Sequence, residues 1–563
     1  MSKKMKFLAF CLSFVMLFSA CASKSEEQQK SSTSQTQTKT EKKETQENSE
    51  KNEIAVSETN AARPEAKETG GMHSFEGETA GMPVFPDEFN TEEYSSIEEN
   101  VFQAVASSPL STFAADVDTA SYANIRRMIE GGELPLPDMV RIEEMLNYFH
   151  YDYPEPLDKG PFSVSMELAD CPWNPDTELL LIGLQAKKID TKELQPSNLV
   201  FLIDVSGSMD EPDKLPLVKR AFGLLSEQLG DQDRISIVTY ASSDQVVAKG
   251  LKGSEKADIM RAIEDLYAAG GTAGSKGIET AYELAEEYFI EGGNNRVILA
   301  TDGDLNLGIT SEGELARLIS EKKKSGVFLS VLGFGEGNIK DNKMETLADK
   351  GNGNYSYIDS IYEARKVLVE EMGGTCHTLA KDVKLQVEFN PVYIKGYRLI
   401  GYENRVMDDE DFADDKKDGG EIGAGHRVSA LYEIVPIDSE FEIGSDLKYQ
   451  SAEKETKNTG ELLTLSIRYK KPDEDASTLL EYTLGESSRR DTLSSNMSFA
   501  AAVVEVGMLL RDSEFAGSSS YENALALLEA SGDLREDESK YEFRSLIKKL
   551  MILDQENKES EKE

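Results

Sequence analysis

The sequence predicts an α/β fold: a doubly wound, mostly parallel sheet inserted in or flanked by a β-sandwich-like domain, with N-terminal and C-terminal helical segments. Three observations carry this expectation. Between Asn198 and Met372, short apolar runs alternate with amphipathic stretches, which gives parallel strands joined by right-handed crossovers. The first run, Leu199–Ile203, is bounded by a Pro-Ser-Asn turn and ends in Asp204-Val205-Ser206-Gly207-Ser208, the pattern of a strand buried on both faces. On either side, Phe162–Ala186 and Cys376–Leu484 alternate as antiparallel strands, so the two flanks are expected to form one β domain around the α/β unit.

The chain has 563 residues, enough for several domains, and 39% of them are hydrophobic, enough for a real core. The formal net charge of −43 disfavours nucleic acid and favours cations. Lys3, Lys4 and Lys6 precede an apolar segment, Phe7–Ala20, that is too short for a spanning helix and reads as a secretory signal. It ends Leu17-Phe18-Ser19-Ala20-Cys21, which resembles a bacterial lipobox and implies lipidation at Cys21; ordinary cleavage is the alternative. The expected location is the extracytoplasmic face of the cell membrane, with the protein held by its N-terminal lipid.

Residues 1–20 are therefore assigned to the signal peptide and 21–93 to a stalk. The stalk is rich in Ser, Thr, Gln, Glu and Lys, and such composition cannot bury enough surface to fold. Residues 94–160 form an N-terminal helical region, with Asp118 or Thr119 as candidate N-cap, Gly131-Gly132 as stop and a second helix over Met139–Tyr148. Asp116-Val117-Asp118-Thr119 approaches a phosphatase signature, but its Thr is one place early, and a capping role explains it better. Residues 161–195 are strands of the flanking domain, 196–375 the α/β domain, 376–485 the β domain and 486–563 a C-terminal helical region with a frayed tail after Asp554. Outside the signal and the lipobox only Cys171 and Cys376 remain; a disulfide between them is the alternative to two buried thiols. The acidic loop that starts at Asp408 does not fit an EF-hand and reads as solvated.

Ligands of open α/β sheets bind at the C-terminal ends of the strands. There the sequence places Asp204, Ser206 and Ser208, then Thr272 in a Gly-Gly-Thr-Ala-Gly loop, then Asp302 after the run Val297–Thr301. In the strand order 3-2-1-4-5-6 the first and fourth strands are neighbours, so these loops converge. Two carboxylates and three hydroxyls are hard oxygen donors that suit Mg²⁺, or Mn²⁺ or Ca²⁺. A capped strand-to-helix turn is the plain alternative for the first loop taken alone. No Gly-Lys-Ser/Thr phosphate loop, zinc-hydrolase His pair or nucleophile elbow occurs, so neither a nucleotide nor an enzymatic role is expected.

Asp-x-Ser-x-Ser, Gly-Gly-Thr and Thr-Asp-Gly, in this order, resemble the metal-ion-dependent adhesion site (MIDAS) of the von Willebrand factor type A (VWA) domain. The resemblance implies that Ser206, Ser208 and Thr272 ligate an ion directly, that Asp204 and Asp302 act directly or through water, and that a protein partner supplies a carboxylate. Pro109–Phe113, Asp116–Asn124, Arg141–Phe149 and Asp418–Ile434 resemble a YfbK-like family of bacterial lipoproteins, over roughly Asn100–Leu553. The expected function is an adhesion or envelope-assembly module. A metal-dependent envelope hydrolase would need a base beside the ion, for which only Asp210, Glu211 and Asp304 are spare; a structural envelope protein is the other alternative.

Overall fold

A computed structural model describes residues 90–560, apart from 116–117, 158–159, 190–194, 272–274, 304–311, 372–373, 375–376, 445–459 and 473. The signal, Cys21, Thr272 and Cys376 thus lie outside the described residues. Among the described residues, no helix is long and apolar enough to cross a membrane.

Order begins with an extended strap. Thr91 and Glu93 donate backbone hydrogen bonds to Gly337 and Ile339 (2.9 and 2.8 Å), and Asp341 N–H returns one to Glu93. Short strands β1 (Gln103–Ala104) and β2 (Leu110–Ala114) follow, then helices α1 (Ala120–Gly131) and α2 (Ile142–Tyr148). Thr119 occupies the N-cap position of α1, but its side chain makes no capping bond. Asp118 lies one residue before that position, where it accepts the Tyr355 N–H (2.9 Å) and pairs with Arg405 (3.3 Å). The helix expected from Met139 starts at Ile142, after a 3₁₀ turn over Pro137–Met139, because Pro137 fixes a tighter entry.

Strands β3 (Phe162–Asp170) and β4 (Glu178–Ala186) form a hairpin closed by the buried Trp173 turn. The α/β unit comes next: β5 (Ser197–Asp204), α3 (Leu215–Gln228), β6 (Arg234–Tyr240), β7 (Asp244–Lys252), α4 (Lys256–Glu264), α5 (Ser275–Glu287), β8 (Asn294–Thr301), α6 (Glu312–Lys322), β9 (Phe328–Phe334), α7 (Asp341–Lys350), β10 (Tyr355–Ile358) and α8 (Ile361–Arg365). Its sheet runs β7-β6-β5-β8-β9-β10, parallel throughout except for β7, an antiparallel edge strand. This is the doubly wound order expected from the sequence, with β5 beside β8. Strand β5 is apolar because both its faces are covered: Val200 and Leu202 pack toward α5 and α7, Leu199, Phe201 and Ile203 toward α3.

The chain then returns through β11 (Thr378–Phe389), β12 (Ile394–Ile400), β13 (Gly420–Gly423), β14 (Arg427–Pro436), β15 (Glu461–Lys470), β16 (Thr478–Gly485) and β17 (Arg489–Arg490). Strand β14 pairs with β4 over eight positions, Arg427↔Gln185 to Ile434↔Glu178, so strands from either side of the α/β unit share one sheet, β1-β12-β14-β4-β3-β17. A second sheet, β13-β11-β15-β16 with β2 on β11, packs against it. In β4, Leu180, Ile182 and Leu184 face that second sheet, while Leu179 and Leu181 face the helices.

Helices α9 (Ser495–Arg511), α10 (Tyr521–Ala530) and α11 (Glu538–Ser560) complete the helical layer on α1 and α2. The Ser494 and Ser520 hydroxyls cap α9 and α10 at Met497 and Asn523 N–H. Helix α11 continues to Ser560 instead of fraying after Asp554, with Lys558 paired to Asp554 one turn back (2.6 Å). Cys171 is a buried free thiol that burial pushes up to about 12. The loop from Asp408 is held by lysines: Lys384 donates to the Asp411 and Asp414 carbonyls (3.0 and 2.6 Å), and Lys470 to that of Asp415 (2.6 Å).

Candidate cation site at the strand ends

Strands β5 and β8 run in register to Ile203↔Ala300, which sets Asp204 beside Thr301 and leaves Asp302 one residue beyond the sheet. Both carboxylates are buried, at 0% and 1% exposure. Asp204 Oδ1 accepts the Ser206 N–H (2.9 Å), and Oδ2 accepts the Thr301 hydroxyl (3.4 Å). The Ser206 and Ser208 hydroxyls lie 3.0 Å apart, Ser206 buried and Ser208 exposed at the mouth. A 3₁₀ turn over Gly207–Asp210 lets Met209 plug the core while both hydroxyls stay on the same side as Asp204.

The second loop is docked on the first. Gly207 N–H donates to Gly270 O (2.9 Å), Ala269 N–H donates to Val205 O (2.8 Å), and Gly271 N–H donates to the Ser242 hydroxyl (3.0 Å). Thr272 follows directly, outside the described residues. The third loop is held from behind: Gly303 has φ +102, and a Cβ there would meet Asn338 O at 2.5 Å and Lys340 N at 2.7 Å. The strap residues Thr91–Glu93 hold the other side of that Gly337–Lys340 segment.

Burial pushes the Asp204 carboxyl up to about 7, against hydrogen bonds from Ser206 and with a further upward push from Asp302. Asp204 and Asp302 are desolvated carboxylates that push on one another, and Ser206 and Ser208 add hydroxyl oxygens, donors of the kind a Mg²⁺-type ion takes. Among the described residues, no group of three or more His, Cys, Asp or Glu is placed to hold a metal. The expected donor set has only two carboxylates, so it is of a different kind from such a cluster.

One charged neighbour was not anticipated. Lys214, at the N-cap position of α3, places its ammonium 3.3 Å from Asp302 Oδ2. No pattern in the sequence singles out this residue, because the contact depends on how α3 enters the sheet.

The fold has counterparts among known proteins. The von Willebrand factor type A domain family matches residues 198–371, a family described as von Willebrand factor matches residues 88–181, and the YfbK C-terminal family matches residues 374–553. The uncharacterized protein YfbK of Escherichia coli (strain K12) is 44% identical over 441 residues, spanning 77% of this chain and 76% of that protein. The chain belongs to the YfbK family. An uncharacterized protein of Synechocystis is 31% identical over 186 residues, 33% of this chain and 43% of that one. A solved von Willebrand factor type A protein from Catenulispora acidiphila is 19% identical, covers 69% of this chain and 89% of its own, and superposes with a TM-score of 0.39. Within this chain, β5–β10 and their helices are thus the VWA domain, a class of module that mediates contacts between proteins. Asp204, Ser206, Ser208 and Asp302 lie at the ends of two adjacent strands of that domain.

Proposed function

We propose that this YfbK-family protein is a lipid-anchored envelope binding module that engages a protein partner through a divalent cation at the strand ends of its VWA domain. Asp204, Ser206, Ser208, Thr272 and Asp302 would hold the ion. When bound, the cation would supply a positive centre able to take a carboxylate from a partner. The observation that supports this reading most directly is the burial of Asp204 and Asp302 side by side, with the Ser206 and Ser208 hydroxyls at the mouth.

This chain's own groups prepare the site. The Ser206 N–H and the Thr301 hydroxyl hold the Asp204 carboxylate, and the Gly207–Gly270 bond sets the first loop against the second. Ser206, Ser208, Thr301 and Lys214 each take part in a hydrogen bond or ion pair at the site. The acidic surface keeps an acidic partner away except where a cation reverses the local sign. The stalk and Cys21 would hold the domain outside the membrane, where such a partner is met.

The test is a pull-down of envelope proteins with the full chain. Partners should be retained in Mg²⁺ and released by chelator and by Asp302→Ala. A partner set indifferent to both would refute the mechanism. Labelling with a radioactive fatty acid that persists in Cys21→Ser would refute the anchor.

A further inference from the structure

We propose that Lys214 sets the charge of the cation site: its ammonium cancels one of the two carboxylate charges, so that a bound divalent ion keeps net positive charge and demands an anionic group from the partner. The inference rests on the cation reading of the site and names what makes that site selective for an acidic partner.

The Lys214 ammonium and the Asp302 carboxylate form a buried pair, with side chains 10% and 0% exposed. The lysine is held in place at both ends. Its N–H donates to Glu211 O (3.0 Å) and its carbonyl accepts Val218 N–H (2.9 Å), which fixes its backbone at the start of α3. Its stem runs over Gly335, where φ is +75 and a Cβ would meet Lys214 Cγ and Cε at 2.4 Å. A side chain at residue 335 would therefore displace the stem. Gly335 begins the segment whose Gly337 accepts the strap hydrogen bond from Thr91, so the backbone beneath the stem is itself anchored.

The charge count follows from these groups. With the ion bound, Asp204 and Asp302 count as two negative charges and Lys214 as one positive charge, while the Ser206 and Ser208 hydroxyls carry none. A divalent ion then leaves a net charge of plus one, and a partner carboxylate brings the site to zero. Without Lys214 the loaded site is already neutral, and a partner carboxylate would leave an uncompensated negative charge in a desolvated place. Lys214 therefore weakens cation binding and strengthens carboxylate binding.

The test uses the full chain in detergent with Mn²⁺ as the cation and acetate as the carboxylate. Binding is read by water-proton relaxation, since acetate displaces Mn²⁺-bound water. Lys214→Met and Lys214→Gln should bind Mn²⁺ about tenfold more tightly than wild type. Their Mn²⁺-loaded forms should bind acetate about tenfold more weakly. The thermal midpoint should also rise more with Mn²⁺ in the variants than in wild type, a readout that survives a less stable starting fold. Unchanged or weaker Mn²⁺ affinity, or an equal or smaller thermal gain, overturns the proposal while leaving the cation site intact. Equal, negligible Mn²⁺ binding by wild type and Asp204→Ala overturns the underlying site as well.

Discussion

Arg126 of α1 and Glu363 of α8 form a buried ion pair, Nη2 to Oε2 at 2.8 Å, that joins the N-terminal helices to the last helix of the VWA domain. The same guanidinium bonds Asp359 (2.6 Å), Glu542 of α11 (3.1 Å) and the Tyr148 hydroxyl (2.9 Å). Three separate parts of the chain therefore meet on one side chain. Burial pushes the Glu363 carboxyl up, but Lys366 and Arg126 outweigh it and hold the group below the usual range. Removing the cation strands these carboxylates in a dry place. Arg126→Met should cost about 3–5 kcal/mol in urea unfolding, and Arg126→Met with Glu363→Leu should cost less than the sum of the two single changes.

Glu505 sits in the middle of α9 inside the helical core, fully buried. Its Oε1 accepts from Asn523 (2.5 Å), and its Oε2 has no hydrogen-bond partner among the described residues. Burial pushes this carboxyl from 4.5 to about 7. The folded state thus keeps a proton that the unfolded chain gives up, so the contribution is complete below 4.5 and is lost as pH rises through about 7. Wild type should lose about 1–3 kcal/mol between pH 5 and pH 8 from this group. Glu505→Gln should flatten that part of the profile, read as the difference between chemical denaturation at the two pH values.

The strap at Thr91–Glu93 ties the start of the described chain to the segment behind the candidate site. Glu92 accepts Gly337 N–H (2.9 Å) and pairs with Arg127 (3.0 Å). Glu92→Ala should cost about 1–3 kcal/mol locally and raise amide exchange at Gly337–Asp341, with little change in the β-sandwich. Uniform exchange across the chain would contradict a local latch.

Gly303→Ala tests the packing behind Asp302. The new methyl meets the backbone of Asn338 and Lys340, which cannot rotate away. We expect a loss of about 2 kcal/mol or more in thermal or chemical unfolding. The matched change at Gly313, where a Cβ meets only the end of Arg317 at 3.9 Å, should be close to neutral or stabilising.

The strand order of the α/β sheet was legible because β and α stretches alternate from Asn198 onward, and such alternation implies a doubly wound sheet with its first and fourth strands adjacent. A shared β domain for the two flanks was legible from the alternation on both sides, whereas the pairing of β4 with β14 within it was not. Strand β16 was not, since its Thr478–Gly485 segment has one exposed face and sits near turn residues that mask its period. The tertiary partners of Asp118 were hidden too, because Tyr355 and Arg405 lie more than 230 residues away. At the site, Asp204, Ser206 and Ser208 form one contiguous motif that the sequence displays, whereas no motif includes Lys214. Its role comes from a helix entry angle and from the absence of a side chain at Gly335, neither of which leaves a local pattern.

The most direct test of the central claim is calorimetric titration of Mg²⁺ into the full chain and into Asp204→Ala. The account predicts one saturable site per chain in wild type and loss of that heat in the variant, with the fold of both confirmed by circular dichroism. Equal Mg²⁺ affinity in the two proteins would contradict it.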